Sequence, residues 1–324
     1  MEVINLYPES ELIDLKGRED NDPQISEKIN LYKVPNALIT SYGYTIKNFS
    51  VLEESISFRH RKTISFKNII SFVFLKRKIS VQTTAISIAN GWYDSYYHFT
   101  LECLPKLFLM RDFIDKATLI FPSKISKFHQ QWFDLLGVTK IKYINNDEIV
   151  KTPLALTCNF PERDLNHHNI ILPEFRNWIL EHINNKDSIG YKKIFIGRKN
   201  PMHRKLLNLE EVKTTLQNEG FTYVEMEDFS IADQIKLFYN AEQIVCLHGA
   251  ALSNLCFSKP KTKVLDLIHE QFKQWCFLKM SIILDIDYAV FSCSGTNNNA
   301  ILPGHQDISV DISKLTNILK KWSL

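Results

Sequence analysis

The stretch QIVCLHGAALSN, residues 243–254, decides the reading of the second half of this chain. A short apolar run that reads as a buried strand passes directly into His-Gly and then into a short helical segment of small residues. A glycine at such a junction allows a tight turn and a close approach to the backbone. Ala250 and Ala251 keep side-chain bulk away, and the helix start offers amide N–H groups and a positive dipole end. In doubly wound sheets ligands sit beyond the carboxyl ends of the strands, so Gly249, Ala250 and Ala251 form a candidate diphosphate seat. His248 can donate to a phosphate or sugar oxygen, and Ser253 and Asn254 lie nearby. The same spacing also suits a plain strand-to-helix turn with a satisfied core histidine.

Working outward, the segments around this stretch alternate. KKIFIG, FTYVEM, QIVCL, KVLDLI and YAVFS read as strands. Helical patterns lie between them, one capped by Asn208 with Glu211 three residues on and ending at Gly220, another capped by Ser230. Strands alternating with helices imply parallel pairing and right-handed crossovers. The connection GRKNPMHRKLLN, residues 197–208, is longer than the ~2–6 residues usual for such joints. It carries Arg198, Lys199, His203, Arg204 and Lys205 toward the same strand edge as His248. Guanidinium groups match phosphate oxygens, which makes Arg198 and Arg204 candidate ligands; a solvated basic loop is the plainer alternative. The chain lacks G-x-G, Walker A, H-E-x-x-H and G-x-S-x-G patterns, which argues against dinucleotide, P-loop, zincin and hydrolase readings.

The first half is less regular. Weak strand signals fill residues 1–50, and KTISF, IISFVFL and KISVQTTAISI read as β-like. ATLIFP, KIKYIN and LALTCNF read as further strands, KFHQQWFDLLG as a helix ending at Gly137, and a helix is expected from about Pro173 to His182. In YDSYYHFTLECLP, residues 93–105, a Ser95 cap would put His98 in the first helical turn, where the dipole favours a neutral imidazole. Glu102 falls at i+4 on the same face, and Pro105 would bend the helix soon after. His98 oriented by Glu102, with Asp94 as an alternative, is the candidate base; a structural tie between helix and sheet is the other reading.

Length and composition bound the rest. A chain of 324 residues suits two domains, residues 1–185 and 190–305, with INNKDSIGY, residues 183–191, as linker. The formal charge of +3 is too small for a nucleic-acid footprint. Six cysteines without a C-x-x-C pair read as buried reduced side chains. No signal peptide or membrane span is legible, so a cytoplasmic protein is expected. Asp20/Asp22 and Asp285/Asp287 are weak metal-pair candidates, and no metal is expected. Residues 306–324 place Ile308, Ile312, Leu315, Ile318, Leu319 and Trp322 on one helical face. That helix either packs back on the first domain, as expected here, or makes peripheral contact with an anionic membrane.

Taken together, YYHFTLECLP (96–105), FIGRKNPMHRKLLNLEE (195–211), SIADQIKLFYNAEQIVCLHGAALSN (230–254) and FSKPKTKVLDL (257–267) resemble glycosyltransferase family 61. The family pattern is an aromatic H-F-x-x-E-x-x-P segment, an arginine after a strand, a second arginine before an N-x-E-like segment, and a strand leading into H-G-A-G/A-L-x-N. Ala251 stands where glycine is common, and Leu209 interrupts the usual Asn-Glu pair. The resemblance implies an α/β fold of two Rossmann-like domains facing a cleft (GT-B type). It also implies an inverting, metal-independent transferase with a nucleotide sugar, UDP-linked, as co-substrate and no other cofactor. The acceptor would be an oligosaccharide or lipid-linked glycan, and the setting bacterial surface-polysaccharide synthesis in the cytoplasm or at the inner membrane face. A non-catalytic nucleotide-sugar-binding subunit is the alternative, since it would need the diphosphate loop but not the His98–Glu102 face.

Overall fold

The computed structural model describes residues 1–7, 28–57, 60–61, 64–163, 165–186, 190–199, 201–272, 274–295 and 302–322. The Asp20/Asp22 pair and linker residues 187–189 lie outside the described residues. The chain divides into two compact units, Met1–His182 and Ile183–Leu324.

The first unit carries β1 (Glu2–Tyr7), β2 (Ile29–Thr40), β3 (Thr45–Lys47), β4 (Ser50–Val51), α1 (Phe66–Phe74), β5 (Arg77–Ser80) and β6 (Thr84–Ile86). A helical run over 96–109 follows, made of α2 (Tyr96–His98), a π turn (Phe99–Cys103) and α3 (Leu104–Leu109). Then come β7 (Thr118–Pro122), α4 (Lys127–Leu135), β8 (Ile141–Ile144), β9 (Glu148–Cys158), the short pair β10 (Glu162–Arg163) and β11 (Asn166–His167), and α5 (Ile171–Glu181). The main sheet runs β4-β3-β2-β9-β6-β7-β8, with β1 on β2 and β5 on β9.

This first sheet corrects the expectation of a Rossmann-like N-terminal domain. Its spine is the long antiparallel pair β2/β9, from Leu31↔Cys158 to Thr40↔Ile149. Only β5, β6, β7 and β8 join in parallel. The sheet is therefore mixed, and its core includes Tyr32, Val34, Ala37, Ile39, Ala85, Ile120, Val150 and Ala155. A second correction concerns IISFVFL, which is helix α1 rather than strand. Ser65 and Asn68 form a capping box, with the Asn68 amide donating to Ser65 Oγ at 3.4 Å and the Ser65 amide donating to Asn68 Oδ1 at 2.8 Å. Ile69, Phe72 and Val73 then fall on one helical face, against Ile46 and Ile149. A cap and an amphipathic stripe outweigh the β propensity of Ile, Val and Phe.

The second unit alternates as its sequence suggests. It contains β12 (Lys193–Gly197), α6 (Leu209–Asn218), β13 (Thr222–Glu225), α7 (Ile231–Asn240), β14 (Gln243–Leu247), a 3-10 helix (Ala250–Phe257), β15 (Lys263–His269), α8 (Cys276–Ile283), β16 (Asp287–Gly295), β17 (Ile308–Ser309) and α9 (Ile312–Trp322). The strand order is β13-β12-β14-β15-β16-β17, parallel through β16 and antiparallel at β17. Counting its own parallel strands, this is the 2-1-3-4-5 doubly wound order, whose switch point lies between the first and third strands. Here those are β12 and β14.

The C-terminal segment departs from expectation. Ile308 belongs to β17 and not to the helix. The apolar face of α9 packs within the second unit: Leu315 and Leu319 join a core with Leu206, Val212, Leu216 and Phe221. Asn208 explains the course of the chain, since its side chain does not cap α6. Its Oδ1 accepts from the Val310 amide at 3.0 Å and its Nδ2 donates to the Val310 carbonyl at 2.9 Å, pinning the lead-in to α9 beside α6. Among the described residues no helix is long and apolar enough to cross a membrane.

Leu315 is fully buried. Leu315→Ala should therefore destabilise the second unit by about 2–5 kcal/mol, read as a lower urea midpoint, whereas Lys320→Ala on the outer face should stay within about 0.5 kcal/mol.

Candidate active site

The second unit builds a cationic cradle at its switch point. Arg198 directly follows β12 and His248 directly follows β14. Arg198 Nη2 donates to the His248 carbonyl oxygen, and Arg204 Nη1 donates to the same oxygen at 3.2 Å. Neither guanidinium has an ion-pair partner among the described residues. Burial lowers the pKa of Arg198, and burial followed by repulsion from Arg198 pulls Arg204 down to about 10, still well above neutral pH. Arg204 has a left-handed backbone, φ 59°, and its buried Nε lacks a hydrogen-bond acceptor. Left-handed non-glycine backbone and an unsatisfied buried donor are costs that cluster at functional sites.

Gly249 serves the cradle by its lack of a side chain. Its backbone is extended, φ 167° and ψ −173°, so conformational freedom is not the reason for glycine. A Cβ placed there would stand 1.8 Å from Arg198 Nη2. The 3-10 helix begins at the next residue, leaving the Ala250 and Ala251 amides without acceptors inside it. Ala250 is exposed and Ala251 half-buried, as a backbone anion seat requires. Ser253 and Asn254 have no accessible surface. Asn254 Nδ2 donates to Gln234 Oε1 at 3.0 Å, tying the 3-10 helix to α7; these two side chains support the segment from the interior. Of the other basic residues in the 197–208 connection, Lys199 pairs with Asp228 and His203 stacks on His305 with ring centres 5.3 Å apart.

His248 is held by residues the sequence reading missed. Its Nδ1 lies 2.6 Å from Asp266 Oδ2, and Tyr288 Oη donates to the same carboxylate oxygen at 2.5 Å. Phe272 and Phe277 pack edge-on against the imidazole, with ring centres 5.3 and 5.4 Å away. Burial and the Asp266 charge push the Tyr288 hydroxyl well above its ordinary value, so it remains a donor. With Nδ1–H directed to Asp266, the Nε2 edge is the one left to face a ligand. The signal for Asp266 was a carboxylate inside an otherwise apolar strand, KVLDLI. A small cleft beside the cradle is lined by Arg204, Leu247, His248, His269, Phe272 and Gly304.

The first unit builds a second constellation on the 96–109 helical run. Ser95 occupies the cap position without a side-chain cap bond. Pro105 has no N–H to return to the carbonyl four residues earlier, and the preceding turn is π, with the Leu104 amide donating to the Phe99 carbonyl. Single π turns recur at functional sites. His98 Nδ1 lies 2.5 Å from Glu102 Oε1, and Asn90 Nδ2 donates to Glu102 Oε2 at 2.6 Å. Glu102 is 1% exposed and the His98 side chain 17%, so the carboxylate is sequestered while the imidazole is partly exposed. Trp92 lies over His98 at 5.0 Å between ring centres. Asp94 is exposed on the turn before the helix. Asn90 and His129 were not legible as parts of this arrangement. Buried His129 accepts from the Ser126 amide at Nδ1, 2.8 Å, and donates from Nε2 to the Tyr93 carbonyl, 2.9 Å, fixing the loop ahead of His98.

The remaining candidates behave as structural groups. Asp285 pairs with Lys261 at 2.5 Å, and no cluster of metal-ligating side chains occurs among the described residues. All six cysteines are free and buried.

Two outcomes follow from these geometries. Gly249→Ala should leave the melting temperature near that of the parent, because the Arg198 side chain can swing away. It should weaken anion binding roughly tenfold or more, the scale of one lost charged hydrogen bond, measured by calorimetric titration with pyrophosphate. Burial lowers the His129 pKa, so the unfolded chain takes up a proton near pH ~6.5 that the folded chain resists. Stability should fall as pH drops below that value, and His129→Gln, though less stable at neutral pH, should flatten this limb in urea titrations.

The sequence matches the family described as Glycosyltransferase 61 over residues 96–265. No curated protein gives a match. Among solved structures, a flavo di-iron protein mutant from Thermotoga maritima aligns over 91% of this chain and 90% of its own, at 12% identity and a TM-score of 0.30, a likeness too shallow to carry an argument. The family match takes in the His98–Glu102 turn, both cradle arginines and the His248–Gly249 junction, more than half of the chain. The chain belongs to glycosyltransferase family 61, and it is a glycosyltransferase.

Proposed function

We propose that the enzyme moves a sugar, with inversion, from a nucleotide-diphosphate sugar of the UDP type to a glycan acceptor. The observation that carries this reading is the pair of guanidiniums, Arg198 and Arg204, converging on one carbonyl with no ion-pair partner among the described residues. Like charges are held together in that way where an anion is to be received. In the proposed complex the diphosphate lies against both guanidiniums and the Ala250 and Ala251 amides, with Gly249 leaving room for the Arg198 head beside the backbone. His248 donates from Nε2 to a phosphate or donor-sugar oxygen, steadied by Asp266 and Tyr288.

The chemistry is one displacement. His98, with Nδ1–H held by Glu102, accepts the acceptor hydroxyl proton at Nε2. The acceptor oxygen bonds to the anomeric carbon as the bond from that carbon to the diphosphate oxygen breaks. Negative charge gathers on the leaving diphosphate, where fixed cations and amides stabilise it, so the reading assigns that task to the protein and not to a metal ion. Asp94 is the reserve base. The reading assigns the donor to the second unit and the acceptor to the first. A cytoplasmic setting in bacterial surface-polysaccharide synthesis belongs to the same proposal and is supported by the family resemblance alone.

A thermal-shift panel of UDP, GDP, CMP and dTDP sugars identifies the donor, since a ligand of the native state raises apparent stability. Nucleotide release with and without acceptor then separates transfer from binding. Arg198→Ala and Arg204→Ala should each weaken donor binding roughly tenfold or more; parent-like affinity in both would defeat the cradle. His98→Ala or Glu102→Gln should lower turnover by ~10²–10⁴-fold with donor affinity and melting temperature unchanged and with no response to EDTA. Normal turnover in both variants would move the base to Asp94 or elsewhere.

A further inference from the structure

We infer that the outer face of α1 and the tip of the β3–β4 hairpin form a docking surface for an anionic phospholipid bilayer, independent of the donor and base sites. The hairpin turn is Asn48-Phe49, with both residues in the left-handed region, φ 49° and 58°. That is the two-residue turn geometry which favours Asn-Gly, because a bulky side chain is disfavoured there. Phenylalanine occupies the glycine position even though core packing does not reward it: Phe49 is 52% exposed. Its ring stacks on Phe74 at the end of α1, with centres 5.6 Å apart and planes 21° from parallel. Phe74 is itself 63% exposed and the adjoining Leu75 80%. The left-handed backbone disfavours phenylalanine at this position, and what that side chain adds is apolar surface facing water.

Lysines accompany this tip along the chain. Lys47 directly precedes the turn, Lys67 lies about two turns before Phe74 on the same face of α1, and Lys78 follows three residues after Leu75, on β5. None of the three has an ion-pair partner among the described residues, whereas the neighbouring acids Glu53 and Glu148 are engaged by Arg61 and Arg77. An exposed aromatic and aliphatic tip with unpaired lysines on its own hairpin and helix matches the two layers of an anionic membrane, the rings entering the interface and the ammonium groups meeting the headgroups. Charge complementarity therefore points to a lipid surface. The C-terminal helix, the amphipathic element that first suggested membrane contact, cannot supply this surface because Leu315 and Leu319 are buried in the second unit.

The test is co-sedimentation of the full chain with phosphatidylcholine vesicles with and without about 30% phosphatidylglycerol. The chain should partition onto the anionic vesicles and be released by salt, which screens the lysines. Phe49→Gly should weaken partitioning by roughly fivefold to tenfold while the melting temperature holds or rises, since glycine suits the left-handed backbone. The triple variant K47E/K67E/K78E should weaken it about a hundredfold or more, at about fivefold per cation. The inference is overturned if the parent stays in the supernatant with both vesicle types, or if Phe49→Gly partitions like the parent. It is equally overturned if Phe49→Gly lowers the melting temperature, which would give the stacked rings a structural task. Loss of a concentration-dependent dimer in Phe49→Gly by light scattering, without lipid binding by the parent, would make the patch a contact between copies.

Discussion

The second unit is organised around one carbonyl oxygen, that of His248, on which two guanidiniums converge. Parallel pairing of β12 with β14 brings the residues that follow them, Arg198 and His248, to the same edge of the sheet. The absence of a Cβ at Gly249 lets the Arg198 head reach the backbone. The long connection after β12 turns Arg204 inward through a left-handed residue, and β17 anchors that connection: the Leu207 amide donates to the Ile308 carbonyl at 2.8 Å and the Ile308 amide to the Lys205 carbonyl at 2.9 Å. The short β17 strand and the Asn208 side chain thus set the geometry of the cradle from the far end of the unit.

Electrostatics give this arrangement its direction. Two buried cations side by side would be unfavourable without negative charge close by. Asp266 supplies part of it from the centre of β15, and its charge acts on Arg198 and Arg204 without forming an ion pair with either. The carboxylate is already engaged by His248 and Tyr288, so it holds the site together without filling it. On the proposed reading, the remaining positive potential is what the donor diphosphate meets.

The first unit solves a different problem, that of presenting one imidazole with a defined proton. Pro105 interrupts the helical ladder, and the π turn ahead of it carries Glu102 to within 2.5 Å of His98 Nδ1. Asn90 holds the other carboxylate oxygen and His129 holds the loop before the helix, so both ends of the pair are set by buried side chains. A packed aromatic group, Phe99, Phe121, Phe128 and Phe133 about His129, keeps that loop and α4 together.

The sequence by itself determined the local devices whose cause is local. The alternation of strands and helices over residues 192–295, the His-Gly junction, the i,i+4 spacing of His98 and Glu102 and the Ser230 cap are each written within a few residues. The run IISFVFL misled because β propensity and helical stripe coincide in it, and only the Ser65–Asn68 box separates them. What lies far apart in the chain was decided by tertiary structure. Asp266 and Tyr288 reach His248 from neighbouring parallel strands, Asn208 bonds to Val310 instead of capping α6, and the apolar face of α9 packs beside α6 within its own unit. The antiparallel β2/β9 spine joins residues more than a hundred positions apart and carries no mark in either segment alone. The physical reason is the same throughout: caps, turns and periodicity are fixed by short-range sterics and hydrogen bonds, whereas partners across a sheet or a core depend on which surfaces come together when the chain folds.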